Sequence, residues 1–312
     1  MPSNSAMAGS CPILGAVDHL RVLRPAEGVL AFYDGRVPGY RYAEERNWVD
    51  EGAIELGIAS FAIADGAEAL IYDTHVSVEH ARFIRSTLEA EGAERFTVLL
   101  SHNHLDHVAG TEAFADCEVI ATERTSEILE RDRAAIESGR LSGPPAIDPL
   151  VLPTRTFAER MDFRVGAIGM EFLHFDIHSD DAAVIRIPDR RLLLAGDTLE
   201  DTVTYVDEPG SLGRHLEELE RLAALGAERI LPNHGDPDVI ASGGYPPGLI
   251  GATEDYIRKL LRCPAEPELA KRPLIDFVGA SIDAGSVRYF EPYEAVHRQN
   301  VEAVVNHGGE AG

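Results

Sequence analysis

Short apolar runs and helical repeats divide the chain into four consecutive blocks. In the first block, residues 17–72, the apolar runs are interrupted at Asp34 and Gly35 and again at Asp65 and Gly66. Asp-Gly pairs between apolar runs are typical of β-hairpin turns, because glycine readily adopts the positive φ angles that such turns require. We therefore predict a β-rich first block with a hairpin at each of the two pairs.

A helix is predicted at the start of the second block. Ser77 is a suitable N-cap, and apolar residues follow with helical spacing at Ala81, Ile84 and Leu88 before Gly92 ends the repeat. Two apolar runs, "RFTVLL" and "CEVIAT", then predict short strands, and "ERTSEILERDRAAIESG" predicts a polar helix. The Pro-rich stretch "SGPPAIDPLVLPTRT" is predicted to be a loop.

Residues 161–196 form a second β-rich block that ends in "RLLLAGD". A helix, "LGRHLEELERLAALGA", and a strand, "ERILPNHG", follow, and the chain is helical again from residue 248. Two packed sheets with helices on their outer faces would bury this order of elements. We therefore predict an α+β fold with one domain at 17–247, a flexible leader at 1–16, and a helical extension at 248–312 that packs on the same domain.

Composition and net charge argue against two classes of binding partner, membranes and nucleic acids. No apolar run reaches the roughly 18 residues that a membrane helix needs, so no membrane partner is expected. The net charge of −25 repels nucleic-acid backbones, which leaves a small-molecule substrate as the expected partner and homo-oligomerisation as an open alternative. The three cysteines are widely spaced and odd in number, which favours a reducing, cytoplasmic location.

The most specific pattern is "SHNHLDH", which places His102, His104, Asp106 and His107 directly after an apolar strand. Imidazole nitrogen and carboxylate oxygen are ligands that suit zinc-type divalent ions. In an extended turn, His102 and His104 point the same way and can share one ion. Asp106 and His107, beyond the bend, can bind a neighbouring ion.

Three further candidates also follow apolar β-runs. His178 follows "MEFLHFDI", Asp197 follows "RLLLAG", and His234 follows "ERILPN". Loops at one rim of a two-sheet sandwich would bring them to the histidine turn. The combined pattern therefore predicts a site for two divalent metal ions.

The order of these motifs resembles the metallo-β-lactamase superfamily. The resemblance covers residues 55–240 and includes "LIYDTH", "SHNHLDHVAG", "DIHSDD", "AGDTLED" and "LPNHG". It implies an αββα four-layer sandwich in which Asp73 supports the site through hydrogen bonds. It implies the following ligands: His102, His104 and His178 for the first metal, Asp106, His107 and His234 for the second, and Asp197 bridging both.

The resemblance also implies a reaction. Family members with redox-active iron typically have Glu where His104 stands, so His104 favours hydrolysis by a hydroxide that bridges two ions, zinc or alternatively manganese or iron. Asp197 is typical of family thioesterases, lactonases and phosphodiesterases, and we expect cleavage of a lactone or thioester. Asp106 is expected to orient the nucleophile and Tyr205 to donate a hydrogen bond to the substrate. A phosphodiesterase, a β-lactamase and a non-catalytic ligand-binding protein stay open as alternatives.

Overall fold

The computed structural model describes residues 17–310, and within them two β-sheets pack face to face with helices on their outer sides. The first sheet has seven strands in sequential order; the strands are antiparallel from β1 to β4 and parallel from β4 to β7. The predicted leader at 1–16 lies outside the described residues. The strands of the first sheet are β1 (Arg21–Ala26), β2 (Val29–Asp34), β3 (Ile58–Asp65), β4 (Glu68–Tyr72), β5 (Arg95–Leu99), β6 (Glu118–Thr122) and β7 (Arg155–Phe157).

The second sheet has five strands in the order β12-β11-β10-β9-β8. Its three consecutive strands β8, β9 and β10 are antiparallel, β10 pairs antiparallel with β11, and β11 pairs parallel with β12. The strands of the second sheet are β8 (Arg160–Val165), β9 (Ile168–Ile177), β10 (Ser179–Ile187), β11 (Leu192–Gly196) and β12 (Arg229–Pro232).

Nine α-helices are found between residues 17 and 310, and a short helix with π-type turns (Val49–Ile54) precedes them. Ser77 caps the first α-helix as predicted, since its side chain accepts a hydrogen bond from the backbone N–H of His80. The α-helices are α1 (Val78–Ala90), α2 (Leu105–Val108), α3 (Glu123–Glu137), α4 (Leu212–Ala223), α5 (Pro237–Ala241), α6 (Gly248–Leu260), α7 (Pro267–Ala270), α8 (Leu274–Asp283) and α9 (Tyr293–Glu310).

The alternation of side chains along β2 shows how the layers are built. Ala31 and Tyr33 face the second sheet and belong to the core between the two sheets. Leu30 and Phe32 face the other way and pack in a second core with helix α1. Because successive strand residues point to opposite faces, one apolar strand contributes to both cores. The predicted αββα sandwich of the α+β class is therefore confirmed.

One of the two predicted hairpins is correct and the other is wrong. Asp65 pairs with Glu68, so β3 and β4 form a hairpin at Gly66. Gly35 does not begin a hairpin, because the chain leaves the sheet there and runs through the helix at Val49–Ile54 before β3. Gly35 has a φ of +96°, and a Cβ there would lie 2.1 Å from the carbonyl oxygen of Ile54. Glycine is needed at this position for a close packing contact and not for a two-residue turn.

The helices beyond residue 248 pack on the sandwich. Leu249, Tyr256, Phe277 and Tyr293 are buried in the same apolar cluster as the core between the sheets. The segment is thus part of one continuous hydrophobic core. Among residues 17–310, no helix is long and apolar enough to cross a membrane.

Candidate metal centre

Strand ends from both sheets meet at one edge of the sandwich. β4 and β5 are parallel neighbours, so Asp73 and the histidine turn leave the first sheet side by side. In the second sheet, His178 lies at the β9–β10 turn, and Asp197 and His234 follow the parallel strands β11 and β12. The seven predicted ligands therefore converge, and they form two groups whose ligand atoms lie within 4.8 Å of one another. One group is His102, His104, His178 and Asp197, and the other is Asp106, His107 and His234.

Asp73 is fully buried and accepts three hydrogen bonds at the centre of the framework. Its Oδ1 accepts from the backbone N–H of Ser101 at 2.6 Å. Its Oδ2 lies 2.9 Å from His107 Nδ1 and accepts from the Asn233 amide at 2.5 Å. Asp73 has a φ of +66°, a conformation that is uncommon for residues other than glycine. These hydrogen bonds hold the strained residue and orient His107; that Asp73 supports a metal site in this way stays a prediction.

In the first group, His102 and His178 are oriented by contacts on the far side of their rings. Ser101 Oγ lies 2.8 Å from His102 Nδ1, so His102 Nε2 faces the centre of the site. His178 Nδ1 lies 3.1 Å from the carbonyl oxygen of Tyr205, and His178 Nε2 lies 3.1 Å from His104 Nδ1. Three imidazole nitrogens from two sheets are therefore directed toward one point.

The second group is oriented in the same way. Asp73 holds His107 Nδ1, and the carbonyl oxygen of Gly57 lies 2.8 Å from His234 Nδ1. The two inward-facing nitrogens flank Asp106, whose Oδ2 lies 3.5 Å from His107 Nε2 and 3.3 Å from His234 Nε2. This arrangement offers two nitrogens and one carboxylate oxygen to a second ion.

Asp197 lies between the two groups. Its Oδ2 is 3.1 Å from His107 Nε2 and 3.4 Å from His234 Nε2. The same oxygen is 3.7 Å from His102 Nε2 and 3.9 Å from His178 Nε2. One carboxylate therefore contacts imidazoles of both groups. Gly196 permits this position, since it has a φ of +57° and a Cβ there would lie 2.8 Å from the Tyr72 hydroxyl.

The chemistry of the cluster fits divalent cations. His102 Nε2, His107 Nε2 and Asp197 Oδ1 are buried and have no hydrogen-bond partner in the part of the chain that the structure describes. Unpaired buried polar atoms are costly, and a bound cation would satisfy them. Imidazole nitrogens with carboxylate oxygens are the usual ligands of zinc-type ions. The two groups of side chains could therefore each hold one ion.

The pKa values in the cluster follow from burial and from the two carboxylates. Burial opposes the positive charge on His107 and His234, yet Asp197 and Asp106 raise the pKa of both rings well above the ordinary value. Burial and neighbouring histidines lower the pKa of His102, and they lower that of His178 to about 4. Metal binding requires neutral imidazoles, so an ion has to displace protons from His107 and His234.

Two supporting residues were missed by the sequence analysis. Glu200 is buried beside the site, with its Oε1 3.9 Å from His178 Nδ1 and its Oε2 accepting a hydrogen bond from Tyr293 at 3.0 Å. Burial, together with Asp197, raises the pKa of Glu200 to about 7. Asn233, which holds Asp73, directly precedes His234 in "LPNHG". For Asn233, its position beside the predicted ligand His234 was the only signal in the sequence. The contacts of Asn233 with Asp73 and of Glu200 with Tyr293 join segments that are far apart in the sequence.

A pocket of about 260 Å³ opens onto the cluster. Leu56, Val296 and Gln299 line it together with Tyr205 and Glu51. The Tyr205 ring centroid lies 6.3 Å from that of His178, so the structure places Tyr205 at the wall of the pocket. The pocket gives a small molecule access to the predicted ligands.

Comparisons with known proteins identify relatives of the chain. A curated Drosophila melanogaster protein, "Beta-lactamase-like protein 2 homolog", is 24% identical over 187 residues, which are 58% of this chain and 59% of that protein. A "Linear primary-alkylsulfatase" from a Pseudomonas species is 23% identical over 211 residues, 54% of this chain and 39% of that protein. The chain thus spans about three fifths or less of the length of these curated relatives.

Solved structures show the same fold. A metallo-β-lactamase from Pontibacter korlensis superposes with a TM-score of 0.54 at 16% identity, over 74% of this chain and 99% of that one. The DIM-1 metallo-β-lactamase superposes with a TM-score of 0.52 at 19% identity, over 70% and 90% of the two chains. The family model described as "Metallo-beta-lactamase superfamily" matches residues 53–234, more than half of the chain. The chain therefore belongs to the metallo-β-lactamase superfamily.

Proposed function

We propose that the chain is a two-metal hydrolase that cleaves a small, uncharged ester-like bond, a lactone or a thioester. The observation that carries the proposal is the position of Asp197. Its Oδ2 lies within 3.1–3.9 Å of imidazole nitrogens from both groups of ligands, so one carboxylate can serve two ions. Two ions held about 3.5–4 Å apart can together stabilise the attacking and the leaving oxygen of a hydrolysis.

The candidate ligands would hold two ions. His102, His104 and His178 would hold one ion, and Asp106, His107 and His234 would hold the other, with Asp197 between the two. Such ions, when bound, make water nucleophilic at neutral pH and polarise the bond under attack. Zinc suits these ligands, with manganese or iron as alternatives.

Asp106 and Tyr205 would act on the reacting atoms. Asp106 lines the pocket, and its positively charged neighbours His107 and His234 hold its pKa below the ordinary value although burial opposes this. It would therefore stay ionised and orient the attacking water through hydrogen bonds. Burial and Asp207 raise the pKa of Tyr205, so its hydroxyl stays protonated at neutral pH and can donate to a developing oxyanion.

The charge of the pocket favours an uncharged substrate. Glu51 and Glu200 line the pocket with the predicted ligands, and none of the lining residues is Lys or Arg. Phosphodiester or sulfate groups would meet acidic side chains without a basic partner from the chain. A neutral acyl bond avoids this repulsion, which is why we place lactones and thioesters ahead of phosphodiesters.

Turnover by zinc-loaded protein on a panel of lactones, thioesters, aryl phosphodiesters, alkyl sulfates and β-lactams tests the proposal. Asp197→Asn is compared with Asp189→Asn, an exposed carboxylate in the turn after β10. We expect acyl substrates to be cleaved by the wild type and by Asp189→Asn, with a loss of about 100-fold or more in Asp197→Asn. Cleavage confined to phosphodiesters, or wild-type rates in Asp197→Asn, would overturn the proposal.

A further inference from the structure

A second cluster of potential metal ligands lies outside the centre described above. Asp176 is in β9, Glu208 is in the segment between β11 and α4, and His215 is in the first turn of α4. Each offers one ligand atom, and the three atoms lie within 4.8 Å of one another. Three elements that are separate in the sequence thus contribute one side chain each.

The strongest observation is a pair of buried atoms without partners. His215 is 2% exposed, and neither its Nε2 nor Asp176 Oδ1 has a hydrogen-bond partner between residues 17 and 310. The two atoms are 3.7 Å apart, which is too far for a hydrogen bond. Two tetrahedral ligands of a zinc ion, with bonds of about 2.1 Å, are about 3.4 Å apart. The separation therefore suits an ion between the two atoms.

Neighbouring side chains hold both carboxylates in place. Arg214 Nε lies 3.2 Å from Asp176 Oδ2, which leaves Oδ1 directed toward His215. Ser211 donates a hydrogen bond to Glu208 Oε2 at 3.0 Å. Such outer contacts orient the ligands of protein metal sites and reduce the cost of ordering them when the ion binds.

The charge state of the cluster also suits a cation. Burial lowers the pKa of His215, so its ring is neutral at neutral pH, as a metal ligand must be. Burial, with Asp180, Asp176 and Asp207 nearby, raises the pKa of Glu208. A cation would offset this concentration of negative charge.

We propose that Asp176, Glu208 and His215 bind a further divalent ion of the zinc type, independently of the hydrolase site. The ion would tie the segment around Glu208 to β9 and α4. The same segment contains Tyr205, whose carbonyl oxygen contacts His178, so the ion would fix one wall of the pocket. The inference does not depend on the proposed hydrolytic function.

Metal counting tests the site directly. Wild type, Glu208→Gln and His215→Gln are dialysed to equilibrium against zinc buffered at a low micromolar free concentration, and zinc per chain is measured by mass spectrometry. Glu217→Gln, an exposed position on the same helix α4, is the matched control because it removes the same charge. We expect each of the two site variants to bind one ion fewer than the wild type, and the control to equal the wild type.

The difference of one ion separates this site from the hydrolase site, since it is expected whether the other ligands bind two ions, one or none. If His215→Gln loses its fold, as judged by circular dichroism, the half-buried Glu208→Gln carries the test. Equal zinc content in wild type and Glu208→Gln would overturn the proposal. A water molecule between the three side chains, in place of an ion, would give that result.

Discussion

Replacing Asp73 by Asn tests whether a buried carboxylate orients a metal ligand. Asp73 Oδ2 lies 2.9 Å from His107 Nδ1 and also accepts from Asn233, while Oδ1 accepts from the backbone N–H of Ser101. Asparagine keeps the shape of the side chain but offers one acceptor oxygen and one NH₂ donor. Its amide therefore cannot accept from both sides, and its neutral group no longer stabilises the ring of His107.

Two independent effects are expected, one on metal binding and one on folding. Loss of a carboxylate behind a metal-binding histidine typically weakens metal binding by about 10–100-fold, which equals about 1.4–2.7 kcal/mol. Independently, at least one buried donor loses its acceptor: the Ser101 N–H if the NH₂ group replaces Oδ1, or both His107 and Asn233 if it replaces Oδ2. That loss costs about 1–3 kcal/mol of folding free energy. We therefore expect Asp73→Asn to fold, with a lower free energy of unfolding than wild type and a weaker affinity for zinc.

Zinc affinity is measured by competition with a chromophoric chelator, and stability by urea unfolding of the metal-free protein. Asp34→Asn is the matched control, because Asp34 Oδ2 lies 3.0 Å from the equally buried His80 Nε2, and His80 is not a predicted ligand. We expect Asp34→Asn to lose stability and to keep its zinc affinity within about two-fold. An affinity of Asp73→Asn within about two-fold of wild type would refute the reasoning.

Three further predictions concern neighbouring positions. Tyr205→Phe keeps the backbone carbonyl at His178, so zinc content should not change, whereas kcat should fall by about 10-fold or more if the hydroxyl meets the oxyanion; an unchanged kcat would remove Tyr205 from the mechanism. Gly196→Ala should lower the free energy of unfolding by about 1–3 kcal/mol in urea titrations, because the residue has a positive φ and a Cβ there would approach Tyr72. A stability equal to wild type would contradict the close contact. Burial raises the pKa of Asp201 to about 6, well above the ordinary value of an aspartate, so between these two values the folded chain retains a proton that the unfolded chain has lost. This contribution to stability is present below about pH 4 and lost as pH rises through 6. As the pH rises from 4 to 7, metal-free wild type should therefore lose up to about 3 kcal/mol of stability relative to Asp201→Asn in urea unfolding. The loss of a hydrogen bond from Tyr245 or from the backbone N–H of Arg288 adds a cost to Asp201→Asn that does not depend on pH, and a change with pH of the opposite sign would contradict the assigned cause.

The candidate ligands that the structure brings together could be selected from the sequence because most of their signals are local. The histidine turn is a short, contiguous pattern that follows a strand, as it does in the structure after β5. His178, Asp197 and His234 could be linked to it because each follows an apolar run, and the ends of parallel and antiparallel strands meet at the edge of a sandwich. The order of these runs also sufficed to predict two packed sheets.

The remaining features depend on contacts between distant segments. Asp34 and Gly35 have the local signature of a hairpin, but the carbonyl oxygen of Ile54 packs against Gly35 and the chain turns out of the sheet. Glu200 has no motif of its own, and its role depends on Tyr293 in the last helix. The contact of His215 with Asp176 joins α4 to β9 and likewise has no counterpart in the local pattern.

The central claim is that one carboxylate, Asp197, joins two metal ions. Anomalous diffraction at the zinc edge, from crystals equilibrated with zinc, locates bound ions without reference to activity. At Asp197 we predict two peaks about 3.5–4 Å apart, one on the side of His102 and the other on the side of His234. A peak at Asp176, Glu208 and His215 would belong to the separate ion proposed above, whereas a single peak or no peak at Asp197 would contradict the claim.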